Sequence, residues 1–176
     1  VNDAPTADAS SGTVAEDGSV VITLTGDDID GDNLSFALNA DAANGSVTIE
    51  GALATYIPSA NYNGDDSFTF TASDGSLSAT ATVAITVTPV NDAPTLAAVS
   101  AVSFDEDGSG STTLSGSDID STDLTYSVSG GSDITATVDG SSVSFTATDN
   151  FNGSESFTAT VTDGTLSSSQ VFVVTV

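Results

Sequence analysis

The 176-residue chain contains no lysine, arginine, histidine, cysteine, methionine or tryptophan. Each absence removes a chemistry. Without Lys or Arg nothing can neutralise phosphates, so nucleic acid is excluded as a partner, and so is electrostatic attraction to anionic lipid. Without Cys there can be no disulfide and no thiolate metal site. The joint loss of His, Cys, Lys and Arg removes most general bases, nucleophiles and oxyanion partners, so no enzymatic activity is expected. No run approaches the roughly 20 apolar residues of a membrane helix. Val1-Asn2-Asp3 begins in mid-motif and does not read as a signal peptide, so the chain is expected to be a fragment of a larger protein.

What is present is acid. Asp and Glu number 25, giving a net charge of −25 with no internal cation to pair them. Two carboxylates ~5 Å apart at an effective dielectric of ~20 repel by roughly 3 kcal/mol. Clustered carboxylates must therefore disperse into solvent, shift their pKa or bind a cation. The chain is not a disordered acidic tail, because 38% of it is hydrophobic and it holds 8 Phe and 3 Tyr.

The sequence repeats itself. Asn2-Asp3-Ala4-Pro5-Thr6 recurs as Asn91-Asp92-Ala93-Pro94-Thr95, Glu16-Asp17-Gly18 as Glu106-Asp107-Gly108, and Asp28-Ile29-Asp30 as Asp118-Ile119-Asp120. Asn61-Tyr62-Asn63-Gly64 recurs as Asn150-Phe151-Asn152-Gly153, and Asp74-Gly75 as Asp163-Gly164. The constant order and near-constant offset define two copies of one domain, residues 1–90 and 91–176, joined near Pro89-Val90-Asn91.

Each copy reads as all-β. Val20, Ile22 and Leu24 alternate with Val21 and Thr23. The same period of two runs through 34–38, 68–72 and 83–87, and in the second copy through Leu124, Tyr126 and Val128, through Phe157, Ala159 and Val161, and through Phe172, Val174 and Val176. Short strands separated by Gly, Asn and Asp turns predict two tandem immunoglobulin-like Greek-key sandwiches of about seven strands each. Pro58 is expected to end a strand.

An odd number of alternating strands puts the two termini of a copy at opposite ends, and the acidic motifs then fall into place. Glu16 lies after the first strand. Asp65 and Asp66 follow the Asn63-Gly64 turn, and Asn91 and Asp92 leave the last strand. Asp118, Asp120 and Asp163 lie in loops at the facing end of the second copy. All are expected to meet where the copies join. Many hard oxygen donors without nitrogen or sulfur favour Ca²⁺ over zinc or copper, and over the tighter octahedron of Mg²⁺. An EF-hand loop starting at Asp28 fails, because its sixth position is Asn33 and its twelfth Asn39. A glycosidase pair is not expected, since these carboxylates sit in turns and not across a cleft.

The ordered set of Glu16-Asp17-Gly18, Asp28-Ile29-Asp30, Asp74-Gly75 and Asn91-Asp92-Ala93-Pro94 resembles a cadherin repeat. Asp28-Ile29-Asp30-Gly31-Asp32-Asn33-Leu34 and Tyr62-Asn63-Gly64-Asp65-Asp66-Ser67-Phe68 resemble more closely the cadherin-like tandem repeats of large bacterial surface adhesins and exoproteins. The resemblance implies calcium between successive domains, held by Glu16, the Asp65-Asp66 region, Asn91, Asp92, Asp118, Asp120 and Asp163. It implies most of a further site from Asn2, Asp3, Asp28, Asp30 and Asp74, with Glu106 and Glu155 facing a further copy. The chain departs from animal cadherins at Pro89, where they carry Asp, at Ala4 and Ala93, where they carry Asn, and before the sixth strand. Fewer ligands imply one or two ions per junction instead of three.

The function so implied is a calcium-stiffened stalk segment, extracellular or on a bacterial surface, whose partners are neighbouring repeats of the same chain. The alternative is a calcium-dependent binding module for polysaccharide or for a like module, in which Tyr62 and Phe151 are the two loop aromatics able to meet a sugar, although packing is their expected role.

Overall fold

The computed structural model describes residues 1–176. It contains no helix, and it divides into two compact units, Val1–Val90 and Asn91–Val176.

In the first unit β1 (Ser10–Ala15), β7 (Ser78–Thr88), β6 (Gly64–Ser73) and β3 (Ser35–Ala40) form one sheet in that order, and β2 (Val20–Thr23), β5 (Leu53–Pro58) and β4 (Gly45–Glu50) form the other. Seven strands alternating in direction make the first and last parallel, and β1 does pair β7 in parallel over six register positions, Ser10 with Val83 to Ala15 with Thr88. Residues before β1 lie along the second sheet, with Thr6 N–H donating to Asp27 O and Asp8 N–H to Thr25 O. The period of two sorts the side chains as expected. Ile22 and Leu24 are buried while Val21, just before them, is 58% exposed and Thr23 between them is exposed. Tyr56, Phe68 and Phe70 fill the space between the sheets with Val83 and Ile85. Burial of each large side chain contributes about 1.5–3 kcal/mol.

The second unit repeats the plan in shorter pieces. One sheet runs β12 (Thr125–Gly130), β15 (Ser154–Thr162), β16 (Ser167–Thr175), β9 (Val102–Ser103). The other is β10 (Ser109–Thr113), β14 (Ser142–Ala147), β13 (Ile134–Asp139), with β8 (Thr95–Leu96) and β11 (Gly116–Ser117) paired beside them. The first strand is thus split into β8 and β9, and the second into β10 and β11 around Leu114. Nine segments replace the seven of the first unit. Three phenylalanines hold this core: Phe145 meets Phe157 and Phe172 edge-on at centroid distances of 5.4 and 5.9 Å. Such contacts add about 0.5–1.5 kcal/mol each to the area buried.

The turns carry the same signature in both units. Asp17 and Asp107 have φ of 61° and 62°, and Asn61 and Asn150 have φ of 58° and 59°. Asp and Asn tolerate the left-handed region because their short polar side chains bond locally. Pro58 closes β5 as expected. Asp65 and Asp66 differ from expectation: they lie inside β6, which starts at Gly64, and not in the loop before it. The pairing of Gly64 with Val87 and of Asp65 with Thr86 extends the long β6–β7 hairpin past the turn, outweighing the low strand preference of Asp. No helix is long and apolar enough to cross a membrane.

Candidate functional site

At one end of the second unit five of the predicted residues converge. Asn91 Nδ2 donates to Asp163 Oδ2 at 2.7 Å and to the Asp92 carbonyl at 3.0 Å. Asp92 N–H donates to Asp120 Oδ2 at 2.7 Å. Asp118 Oδ1 accepts the N–H groups of Asp120 and Ser121 at 2.7 and 2.8 Å, folding the loop around its own carboxylate. Asp163 Oδ1 does the same for Thr165 and Leu166 at 2.6 and 2.7 Å. The bond from Asn91, then those from Leu166 and Thr165, hold the Asp163 carboxyl below the ordinary Asp value.

The first unit builds the same arrangement from its own residues. Asn2 Nδ2 donates to Asp74 Oδ2 at 3.0 Å, and Asp3 N–H to Asp30 Oδ2 at 2.7 Å. Asp28 Oδ1 accepts from Asp30 N–H at 2.8 Å and from Asp32 N–H at 3.4 Å. Asp74 is lowered by Leu77 N–H first, then by Asn2 and Ser76. The two ends are therefore one design made twice, and Asn2, Asp3, Asp28, Asp30 and Asp74 stand together as Asn91, Asp92, Asp118, Asp120 and Asp163 do.

In both arrangements backbone N–H groups occupy one oxygen of the central Asp and leave the other. Asp28 Oδ2 and Asp118 Oδ2 are buried and accept no hydrogen bond. A buried ionised oxygen without a donor costs several kcal/mol unless a cation meets it. Within neither unit do three carboxylates approach closely enough to share an ion by themselves. Amide and carbonyl oxygens would have to complete a shell, which suits calcium, with its 6–8 oxygen ligands. The donor set is of the right kind for calcium: carboxylates, an Asn amide and main-chain carbonyls, in loops already folded by their own hydrogen bonds.

The other end of the first unit is arranged differently. Glu16 is 3% exposed, the one buried charged residue of the chain. Its Oε1 accepts Val90 N–H at 2.5 Å, next to the Asn91-Asp92 segment, and its Oε2 is buried without a partner. Asp65 is exposed, accepting from Thr86 Oγ1 at 3.3 Å.

Asp66 stands apart from all of these. Its Oδ1 accepts Ala43 N–H and Ser67 N–H at 3.1 and 2.8 Å, and its Oδ2 accepts Asn44 N–H and the Tyr56 hydroxyl, each at 2.9 Å. Burial opposes its ionisation, but the bonds from Ser67, Asn44, Tyr56 and Ala43 outweigh it and hold the carboxyl below the ordinary value. Tyr56 is raised, by burial first and then by its bond to Asp66 and that charge. Asp66 thus clasps the β3–β4 turn and has no acceptor position left for a metal. Glu155 is held in the same way, accepting the N–H groups of Ser132, Asp133 and Ile134 at 2.9–3.1 Å within its own unit. Glu106, the counterpart of Glu16, is exposed. Tyr62 and Phe151 pack against the two cores, and no aromatic residue is exposed.

The family model described as a bacterial Ig domain matches twice, over residues 2–86 and 91–175. The chain belongs to the bacterial Ig domain family. Among curated proteins no relative matches it. Among solved structures the bacterial Ig pair is similar to Drosophila N-cadherin EC1-4, with a TM-score of 0.69 and 18% identity over 99% of this chain and 49% of that one. Human protocadherin-24 EC1-2 matches with a TM-score of 0.65 and 15% identity over 97% of both chains. An endo-fucoidan hydrolase from glycoside hydrolase family 107 matches at a TM-score of 0.43 and 22% identity, and this chain spans 28% of it. The bacterial Ig repeats thus share their fold with cadherin ectodomains, as the motifs in the sequence imply. The matched domain types are non-catalytic, and such domains are typically extracellular or surface-exposed.

Proposed function

We propose that the two bacterial Ig repeats are a non-enzymatic, calcium-binding structural pair, a segment of the stalk of a bacterial surface adhesin or secreted protein. The observation that carries this reading is the buried, unpartnered Oδ2 of Asp28 and of Asp118, each at the centre of an identical set of oxygen donors. Asn91, Asp92, Asp118, Asp120 and Asp163 would hold the ion in the second repeat, and Asn2, Asp3, Asp28, Asp30 and Asp74 in the first. Calcium supplies the positive charge that a chain of net charge −25 does not contain. Because Asn91 and Asp92 follow directly on Val90, an ion there would order the segment joining the repeats. Affinities of ~10⁻⁴ to 10⁻³ M, usual for extracellular modules, would leave the sites empty in cytosol and filled outside the cell.

Against the polysaccharide alternative stands the packing of Tyr62 and Phe151, both partly buried against the cores and so less free to stack on a sugar. The test is calorimetric titration of the whole chain with calcium, paired with small-angle scattering in calcium and in chelator. Binding at millimolar calcium with a more extended, less variable particle is expected. No heat and unchanged dimensions defeat the reading. Asp118→Asn should remove the binding of the second repeat alone.

A further inference from the structure

The two acidic ends differ in their loops, Gly31-Asp32-Asn33 against Ser121-Thr122-Asp123, and in one residue packed beneath them. In the second repeat the Tyr126 hydroxyl accepts the N–H of Gly116 at 2.9 Å. Gly116 lies two residues before Asp118, so this bond pins the root of the loop that carries Asp118 and Asp120. Tyr126 is itself fixed, partly buried against the core and paired in β12 with Val161. A Cβ on Gly116 would lie 3.2 Å from the hydroxyl and 3.0 Å from Val161, so the glycine lets the phenol approach the main chain.

In the first repeat the equivalent positions are Gly26 and Phe36, and phenylalanine has no hydroxyl to offer. Phe36 turns instead to Phe70, at a centroid distance of 5.9 Å. A surface recess of 450 Å³ opens there between Leu24, Leu34 and Phe36 on one side and Asp28 and Asp32 on the other. The loop bonds are longer as well. The second donor to the central carboxylate is Asp32 N–H, four residues on, at 3.4 Å from Asp28, but Ser121 N–H, three residues on, at 2.8 Å from Asp118, so part of this difference belongs to the loop sequences. The amide-to-carboxylate bond is 3.0 Å from Asn2 but 2.7 Å from Asn91.

We propose that Tyr126 is a positioning residue for calcium in the second repeat, and that its replacement by Phe36 makes the first repeat the weaker of two unequal sites. This rests on the calcium reading above. Loops that already hold their oxygens in place lose less freedom when the ion arrives. Partners bonded directly to a metal's ligands are worth about 10- to 100-fold in affinity, and Tyr126, one step further out, belongs at or below the lower end of that range.

The experiment is a calcium chloride titration of the full chain followed by amide NMR, reading Asp118 and Asp120 separately from Asp28 and Asp30. Wild type is expected to fill the second repeat first. Y126F should weaken that site by about tenfold and leave the first repeat unchanged. F36Y, placing a hydroxyl opposite Gly26, should tighten the first site, a gain that structural damage does not produce. Y126F titrating at the wild-type concentration, or F36Y leaving the first site unchanged, overturns the assignment while the calcium reading stands. A wild type with no response to calcium in either repeat overturns both.

Discussion

Tyr56 and Asp66 face each other across the first repeat, hydroxyl to carboxylate at 2.9 Å, and the second repeat has Phe145 and Glu155 at the same two positions. The short carboxylate needs the phenol to complete its ring of donors. The longer one reaches three successive backbone N–H groups without it. The two repeats hold the same turn with complementary changes in side-chain length.

A double-mutant cycle should expose this exchange. Tyr56→Phe removes a hydrogen bond to a charged group and should cost about 1.5–3 kcal/mol. Asp66→Glu alone should cost a similar amount by displacing the carboxylate. The pair Y56F/D66E recreates the solution of the second repeat, so its cost should fall well below the sum of the two. Urea unfolding of the first repeat measures this, and simple additivity would count against a shared clasp.

Acid should loosen both repeats. Asp66, Asp74, Glu155 and Asp163 all have folded-state values below their ordinary 3.8 or 4.5. A carboxyl depressed by folding stabilises fully above its unfolded value and loses that contribution as pH falls through the folded one. In chelator, and in salt high enough to screen general repulsion, the urea midpoint should fall as pH drops from about 5 to 3. A variant in which Asp66 is replaced by Asn and Glu155 by Gln should start less stable and fall less. An equal fall in wild type and variant would show that the loss comes from other groups.

Glu16 gives opposite results with two substitutions. Glu16→Ala leaves Val90 N–H without its acceptor and should lower stability by about 1–3 kcal/mol. Glu16→Gln keeps an oxygen for Val90 and removes the buried charge on Oε2, so in chelator the protein should melt at or above the wild-type temperature. An ion taken up by Oε2 itself would reverse the order in millimolar calcium, because only the carboxylate gains from it. Melting curves in the two solutions decide the matter. A glutamine variant that follows wild type in both would place Glu16 outside the metal's reach.

The sandwich was legible because alternation is a local property. Ile22 and Leu24 enter the core and Val21 leaves it, as a period of two requires. The two acidic ends were legible because each motif recurs in a fixed order, and an odd strand count puts their loops together. The place of Asp66 was not. Asn63-Gly64 signals a turn, and two acids after it look like more loop, whereas the long hairpin with β7 draws them into a strand. The partners of Asp66 on Ala43 and Asn44 lie more than twenty residues away, and no local pattern announces them. The duplication held a clue: Asp66 becomes Glu155 where Tyr56 becomes Phe145, a paired change between positions with no shared spacing rule.

The parallel seam between β1 and β7 has a mechanical consequence. The chain enters β1 at one end of the first repeat and leaves β7 at the other, so traction on the two termini slides these strands past each other along their length. Six register positions then bear the load together. In the second repeat β9 meets β16 at only two, Val102 with Val174 and Ser103 with Thr175. Under tension the second repeat should yield first and lengthen while the first stays shut, giving two rupture forces of unequal height in single-molecule pulling. A single common force would mean that this seam does not set the resistance.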